Sequence, residues 1–191
     1  MIKRDQALVL LRKYIKTENT VKHLLATEAV MRTLARRLEP DKEEEWALAG
    51  LLHDIDYEQD LGKDYGKHGI MSVEILKKEK TDLPESVYQT ILAHCYNLNP
   101  DLVPKNLMDW SLFICDSLTG LIVATALVRP DKKLSSVKVS SILKKFKDPS
   151  FARGTRREDI KLCEEKLAIP LNEFMEIGLV AMQGISETLG L

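Results

Sequence analysis

The chain has 191 residues, of which 45% are hydrophobic and 30% are charged, and this balance suits one globular domain with a sizeable core. Its 28 lysines and arginines nearly match its 29 aspartates and glutamates, so its net charge indicates neither a nucleic-acid-binding protein nor an acidic tail. The N-terminus lacks the apolar core of a signal peptide, and the three cysteines show no paired spacing. We therefore expect a single domain over residues 1–191 in a reducing cytoplasm, with no nucleic-acid or membrane partner.

Apolar residues recur at helical spacing along the chain, and no alternating run is long enough to predict a strand. We therefore predict an all-α fold, a compact multi-helix domain. The predicted helices cover about 5–16, 20–39, 41–54, 68–80, 84–94, 110–128 and 135–147, with two more that begin near 155 and at 170. The polar segment 56–66, which contains Gly62 and Gly66, is predicted as a loop.

Several helix starts carry their own signals. Pro84 and Pro170 are predicted as prolines in the first turn of a helix. The stretch from Thr155 to Glu158 fits a capping box. The acidic run that follows Asp41 suits the positive end of a helix dipole.

One segment resembles a membrane span in length and apolarity. Residues 110–128 contain a single charge, Asp116. That carboxylate would cost about 2.5–3.5 kcal/mol at the centre of a bilayer, and serine, threonine and glycine residues dilute the apolarity further. We therefore predict a buried core helix that carries one functional carboxylate.

A second polar feature lies at 51–56, where His53 and Asp54 directly follow the apolar, small-residue run 47–50. Neighbours on a helix point about 100° apart, so this pair can share only a partner that sits between them. A metal ion meets that need, because it accepts both ligand types and offsets the cost of a charge in a poorly hydrated place. The pair alone is a weak signal, since His-Asp occurs by chance in many chains.

The remaining histidines strengthen this interpretation, because the whole chain contains only four: His23, His53, His68 and His94. His23 lies in line with residues 27, 30 and 34, and His94 shares a helix face with residues 87 and 91, so both point inward. Each histidine alone is more often a core or cap residue satisfied by hydrogen bonds. Together with Asp54 and Asp116, which also lie on apolar faces, the four histidines predict a metal centre.

In this order the residues resemble the HD-domain superfamily of metal-dependent phosphohydrolases. The family pattern is a histidine on one helix, a His-Asp pair at the end of another and an aspartate on a later helix, often with two further histidines between. The resemblance covers about residues 20–125, and the remainder would be a C-terminal helical extension. It implies an all-α fold and the metal ligands His23, His53, Asp54 and Asp116, with His68 and His94 at the two additional positions.

The sequence departs from the family at several points. One subfamily has His-Asp-Ile-Gly-Lys where this chain has His-Asp-Ile-Asp-Tyr at 53–57, so the lysine that some members place near the phosphate is missing. A lone His94 precedes Cys95, whereas the cyclic-dinucleotide phosphodiesterase branch has a double histidine and a Gly-Tyr-Pro motif, which this chain lacks. The six-ligand arrangement is more similar to the dinucleoside-tetraphosphate hydrolase branch, although the interval from 53 to 68 is short.

The resemblance implies hydrolysis of a nucleotide or a related small phosphate ester by a metal-activated water. Mixed imidazole and carboxylate ligands favour one or two divalent ions of iron, manganese or zinc, with magnesium as a further candidate. With two ions Asp54 is the natural bridge, and with one ion His68 and His94 are a phosphate clamp and a general acid. Asp56 and Glu58 either position a water or an imidazole, or are solvated loop carboxylates. The predicted catalytic residues are His68, His94, Asp54 and Asp56.

Two further groups carry weaker signals. Arg153, Arg156 and Arg157 precede a predicted helix, where a phosphate would meet guanidinium and backbone N–H groups, and ordinary surface charge is the alternative. Cys95 and Cys115 adjoin proposed ligands, and helical spacing predicts that they are small buried hydrophobes on another face. The competing functional hypothesis is a non-catalytic, metal-binding domain that senses a nucleotide.

Overall fold

The computed structural model describes residues 1–59 and 65–191, so part of the predicted 56–66 loop lies outside the described residues. The described chain is all-α, which confirms the predicted fold class. Three short 3-10 helices accompany the α-helices. In chain order the α-helices are α1 Arg4–Tyr14, α2 Glu18–Leu38, α3 Glu43–Leu52, α4 Ile70–Lys78, α5 Glu85–Ala93, α6 Leu107–Leu127, α7 Val139–Phe146, α8 Arg157–Lys166, α9 Leu171–Gln183 and α10 Ser186–Leu189.

Some helix starts differ from the predictions. Pro84 and Pro170 are N-cap residues, one position before the first turn. The prediction of a capping box at Thr155 is wrong. Helix α8 begins at Arg157, its N-cap is Arg156, and no side chain caps it with a hydrogen bond. The helix predicted from about residue 68 begins at Ile70, since Gly69 precedes it with a left-handed φ of 76°.

Helices α2, α3 and α6 form the centre of the fold, and α2 packs against both of the others. Gly50 permits the close approach of α3 to α2, because a Cβ at this position would lie 3.0 Å from the backbone N and Cα of Glu28. Large side chains such as Trp46 and Leu52 are fully buried nearby, and burial of each contributes about 1.5–3 kcal/mol. The same cluster of buried side chains extends from Ala7 to Leu189, so the C-terminal helices share the core.

An ionic network ties the surface of α2 to the start of α3. Glu43 lies in the acidic first turn of α3, where carboxylates are favoured by the helix dipole. Its carboxylate accepts hydrogen bonds from Arg36 (2.8 and 2.9 Å) and from Arg32 (2.9 Å). These bonds lower the pKa of Glu43 to about 2.

Helix α6 accounts for the segment that resembled a membrane span. Among the described residues, α6 is the one helix whose length and apolarity would allow it to cross a membrane. However, 67% of its most apolar window is buried inside the protein. It packs against α2, α5, α7, α8 and α9. Asp116 therefore lies on a central helix of the core, as the sequence predicts.

Candidate metal centre

Six predicted residues from five parts of the fold meet at one point. His23 lies on α2 and Asp116 on α6. His53 and His94 are the C-cap residues of α3 and α5, Asp54 follows His53, and His68 lies just before Gly69 and α4.

The ring nitrogens Nε2 of the four histidines surround the carboxylate oxygens of the two aspartates. Asp54 Oδ1 lies 3.1 Å from Nε2 of both His68 and His94 and 3.4 Å from Nε2 of His53. Asp116 Oδ1 lies 3.0 Å from His23 Nε2 and 3.9 Å from His53 Nε2. The Nε2 atoms of His68 and His94 are 3.3 Å apart.

Hydrogen bonds at the other ring nitrogen fix how two of these histidines face the centre. His53 Nδ1 donates to the carbonyl of Gly50 (2.9 Å), and His94 Nδ1 donates to the carbonyl of Ile91. A carbonyl can only accept, so Nδ1 carries the proton and the lone pair of a neutral ring is on Nε2. Two peptide carbonyls thus prepare these rings to act as ligands.

The other two histidines are oriented by side chains. His23 Nδ1 lies 3.2 Å from the hydroxyl of Thr119, and this hydroxyl donates its own proton to the carbonyl of Asp116 (2.8 Å), so it accepts from His23. His68 Nδ1 lies 2.9 Å from Asp56 Oδ1. All four histidines therefore present Nε2 to the same small volume.

These distances fit the ligand shell of metal ions. Two ligand atoms about 2.1 Å from one ion, at angles of 90–110°, lie about 3.0–3.4 Å apart, which is the range found around Asp54 and between His23 and Asp116. His53 Nε2 is buried and has no hydrogen-bond partner among the described residues, so it is poised to bind an ion. Among the described residues, three overlapping sets of side chains could hold an ion: His23, His53 and Asp116; His53, Asp54 and His94; and His68, His94 and Cys95.

The histidines and the two aspartates of the centre shift one another's pKa values. Burial opposes ionisation of Asp54, but His53, His68 and His94 outweigh it and hold the pKa of this carboxyl well below its usual range. Burial likewise opposes ionisation of Asp116, and its histidine neighbours again hold its pKa well below that range. Burial lowers the pKa of His68 and His94, whereas their partners, Asp54 among them, raise it to about 10 and about 9. A divalent ion must displace protons from these two rings in order to bind.

Asp56 requires a correction to its predicted catalytic role. Its side chain is fully buried behind His68 and does not line the cavity over the centre. Besides the contact to His68 Nδ1, its Oδ2 accepts hydrogen bonds from the backbone N–H of Gly69 (2.9 Å) and Ser72 (3.2 Å). Asp56 is thus a positioning residue for an imidazole, whereas Glu58 accepts from the backbone of Lys16 and Thr17 (2.8 Å each) at the start of α2.

A cavity of about 440 Å³ opens over the centre, and we call it the metal-centre cavity. Such a volume is typical of small-molecule sites. Its lining includes five of the six predicted ligands and adds polar, apolar and basic side chains: Asn19, Thr20, His23, Asp54, Tyr57, His68, His94, Cys95, Asn97, Leu98, Asp116 and Arg156. His53 does not line it, because it is fully buried behind the other ligands.

The three predicted phosphate-binding arginines have different surroundings. Arg156 lines the metal-centre cavity, with Nη2 3.4 Å from Asp116 Oδ2 and Nε 2.5 Å from Asp159 Oδ2. Arg153 is exposed at a neighbouring cavity of about 350 Å³ that is also lined by Asp116 and Arg156. These two guanidinium groups therefore remain candidates for phosphate contacts.

The prediction that Arg157 binds phosphate is wrong. Its guanidinium donates to five backbone carbonyls, those of Lys145, Phe146, Asp148, Phe151 and Thr155, at 2.5–3.4 Å. These bonds hold the turn between α7 and α8 and use the donors that a phosphate would need. Arg157 is therefore a structural residue.

Cys95 is buried, as predicted, but the predicted face is wrong, because its sulfur lies beside the centre. Helix α5 ends at Ala93, and the N–H of Cys95 donates to the carbonyl of Leu92, three residues back, so the helical spacing changes at Cys95. The Cys95 sulfur lies 3.3 Å from His94 Nε2 and lines the metal-centre cavity. Cys115 is fully buried, and burial raises the pKa of its thiol well above its usual value. The role of Thr119 beside His23 was not predicted, and its position three residues after Asp116 was the available signal.

An all-helical fold around clustered imidazoles and carboxylates defines a class of metal-binding proteins. A family model described as HD domain matches residues 20–121, a span that contains all six predicted ligands. The chain belongs to the HD-domain family, which is part of a superfamily of metal-dependent phosphohydrolases. No curated protein and no solved structure matches the chain significantly.

Proposed function

We propose that this protein is a metal-dependent phosphohydrolase that acts on a nucleotide or a related small phosphate ester. The observation that carries the proposal is the convergence of four Nε2 atoms on Asp54 and Asp116 at the base of an open cavity. Iron, manganese or zinc suits this mixture of imidazole and carboxylate ligands, and magnesium is the less favoured ion. Bound divalent ions would lower the pKa of a water and neutralise charge on the phosphate.

The ligands form sets that overlap at His53. His23, His53 and Asp116 form one set, and His53, Asp54 and His94 form another, with His68 Nε2 also 3.1 Å from Asp54 Oδ1. Two sets support a two-ion centre, and because an imidazole nitrogen binds only one ion, the carboxylate of Asp54 would be the natural bridge. In a one-ion centre, His68 and His94 would instead clamp the phosphate and protonate the leaving group.

Arg156 is the residue best placed to hold the phosphate. It reaches the metal-centre cavity while Asp159 binds its Nε, and its guanidinium lies 5.8 Å from the ring centroid of Phe113. These contacts fix the side chain, so little rotamer entropy is lost when an anion binds. Its remaining N–H groups supply charge-assisted bonds to phosphate oxygens.

The proposal is tested by metal analysis of the purified protein, followed by a phosphate-release screen over nucleotides, dinucleotides and simple monoesters. Asp116→Asn should keep the fold while it lowers both metal content and turnover, because an amide is a weaker ligand than a carboxylate. Asp101→Asn is a matched control, since Asp101 is exposed and outside the centre.

Two results would count against the proposal. Unchanged metal occupancy in Asp116→Asn would remove this residue from the ligand set. Metal binding without turnover of any ester, whichever ion is supplied, would favour the non-catalytic domain that senses a nucleotide.

A further inference from the structure

Cys95 brings a third kind of donor atom to the metal centre. Its sulfur lies 3.3 Å from Nε2 and 3.7 Å from Nδ1 of His94, so it is nearer the ring nitrogen that faces Asp54. The side chain is buried and lines the metal-centre cavity. Ligand atoms of His68, His94 and Cys95 all lie within 4.8 Å of one another. The thiol is therefore part of the centre and not only a core residue beside it.

The spacing of these donor atoms suits one ion. A zinc–nitrogen bond of about 2.0–2.1 Å and a zinc–sulfur bond of about 2.3 Å, at angles near the tetrahedral value, place the two ligand atoms about 3.5 Å apart. The sulfur of Cys95 and Nε2 of His68 both lie 3.3 Å from His94 Nε2. Asp54 Oδ1 lies 3.1 Å from the same nitrogen. Three kinds of donor atom thus surround one ring nitrogen at distances close to those between ligands of one ion.

Gly69 makes the room that the sulfur occupies. A Cβ at this position would lie 2.7 Å from the Cys95 sulfur, which is closer than real Cβ contacts. It would also lie 3.2 Å from the carbonyl oxygen of Ile91, the group that accepts from His94 Nδ1. The glycine that follows His68 therefore lets the thiol and the imidazole of the next two residues after α5 reach the centre together.

A buried nitrogen without a partner indicates that a ligand belongs at this place. His53 Nε2 is buried and has no hydrogen-bond partner among the described residues, and the ring centroids of His53 and His94 are 4.9 Å apart. Buried polar atoms are normally satisfied, so an ion would supply the missing partner. Of the three cysteines, only Cys95 is in a possible ligand set of the described residues, while Cys115 and Cys163 are fully buried outside those sets.

The donor atoms of the overlapping sets differ in the ions they favour. His23, His53 and Asp116 offer only nitrogen and oxygen, which suit iron and manganese as well as zinc. A thiolate favours zinc over manganese and magnesium, and sets that combine cysteine with histidine are typical of zinc. When zinc binds, the thiol becomes a thiolate and its proton passes to water.

We propose that Cys95 is a metal ligand, and that together with His68 and His94 it makes one side of the centre a zinc site. The other side, with His23 and Asp116, accepts manganese or iron as well as zinc. This inference rests on the metal centre of the proposed function and does not depend on hydrolysis.

Cobalt(II) and zinc serve as probes, because a thiolate ligand gives each of them a signature. Cobalt added to the metal-free protein should produce a sulfur-to-cobalt charge-transfer band in the near ultraviolet. The X-ray absorption spectrum of the zinc form should contain a sulfur shell at about 2.3 Å. Cys95→Ser should lose both signals. Cys115→Ala is the matched control and should keep them, because Cys115 also adjoins a proposed ligand but lies on α6 outside the possible ligand sets.

Cys95→Ser should also change which ion the protein prefers. Loss of a partner behind a ligand histidine costs about 10–100-fold in metal affinity, so loss of a ligand itself should lower zinc affinity by about 100-fold or more. Manganese affinity should fall by less, since a thiolate favours manganese little. Calorimetric competition measures both affinities, and an unchanged ratio of zinc to manganese affinity would overturn the inference. The wild-type spectra need no variant, so a poorly folded Cys95→Ser leaves the test intact.

The outcomes separate this inference from the proposed hydrolase. A zinc shell of nitrogen and oxygen alone, or a sulfur signal that survives in Cys95→Ser, overturns the inference whether or not an ester is hydrolysed. A sulfur signal that depends on Cys95, in a protein that hydrolyses no ester, supports the inference while the hydrolase proposal fails. If neither zinc nor cobalt binds, the inference is overturned, and turnover with manganese would still support the hydrolase.

Discussion

Replacing Asp56 with asparagine changes one atom of the centre's supporting shell and keeps its shape. Asp56 Oδ2 accepts from the backbone N–H of Gly69 and Ser72, and an asparagine oxygen can keep both bonds. The amide NH₂ then takes the place of Oδ1, 2.9 Å from His68 Nδ1. Two donors would face each other, so His68 adopts the tautomer with its proton on Nε2 and can no longer offer this atom to an ion.

The expected effect is a loss of metal affinity with little loss of stability. Removing the partner that orients a ligand histidine costs about 10–100-fold in affinity, or about 1.4–2.8 kcal/mol. Because His68 faces Asp54 and not Asp116, the weakened ion should be the one on the His68 side. Asp56→Ala should behave differently, since it leaves two buried N–H groups unpaired at about 1–3 kcal/mol each.

Calorimetric titration of the metal-free protein with zinc or manganese measures this effect, and thermal unfolding monitors the fold. Glu58→Gln is the matched control, because Glu58 is also a loop carboxylate after the His-Asp pair but binds only the backbone at the start of α2. If Asp56→Asn bound every ion with wild-type affinity, then Asp56 would not act through His68.

Three further predictions follow from the site and its surroundings. His68→Ala and His94→Ala should each reduce bound metal from about two ions per chain toward one; a wild type that never exceeds one ion would exclude the two-ion centre. Arg156→Ala should raise KM about tenfold or more with a smaller effect on metal content. Arg157→Ala should instead lower Tm by roughly 4–8 °C, because its bonds to the carbonyls are lost. A raised KM in Arg157→Ala together with a lowered Tm in Arg156→Ala would contradict both roles. Glu43→Gln should lower stability at pH 7 by about 1 kcal/mol or less. Because the folded pKa of Glu43 is lowered from 4.5 to about 2, its contribution is complete above about pH 4.5 and is lost as the pH falls toward 2, so a Tm difference that stays constant from pH 7 to pH 2.5 would refute this linkage.

The sequence predicted most of the helices and the cluster of histidines and aspartates because both rest on local patterns. Helical periodicity determines which faces of α2 and α6 are buried, and this places His23 and Asp116 toward the interior. The four histidines and two inward aspartates follow one another along the chain in the order of the HD family. The cluster could therefore be predicted without knowing any distance.

The predictions failed where the position of a side chain depends on the exact end of a helix, or where its partners are carbonyls that lie farther away in the sequence. Cys95 was expected on another face because α5 was assumed to continue, but it ends at Ala93. Arg157 was expected to bind phosphate, and nothing in its neighbours revealed that the turn after α7 would fold its carbonyls around the guanidinium. The tautomers of His53 and His94 were equally hidden, since they depend on carbonyl directions that only the folded helices define.

The placement of His53 and His94 at helix C-termini has a consequence for the order of binding. The C-terminal end of a helix carries roughly half a negative charge, and both α3 and α5 direct that end at the two carboxylates of the centre. Before any ion arrives, protons on His68 and His94, whose pKa values are raised to about 10 and about 9, offset the charge of the two carboxylates. These protons must leave before a divalent ion can bind, which makes the metal content of the protein conditional on the pH of its surroundings.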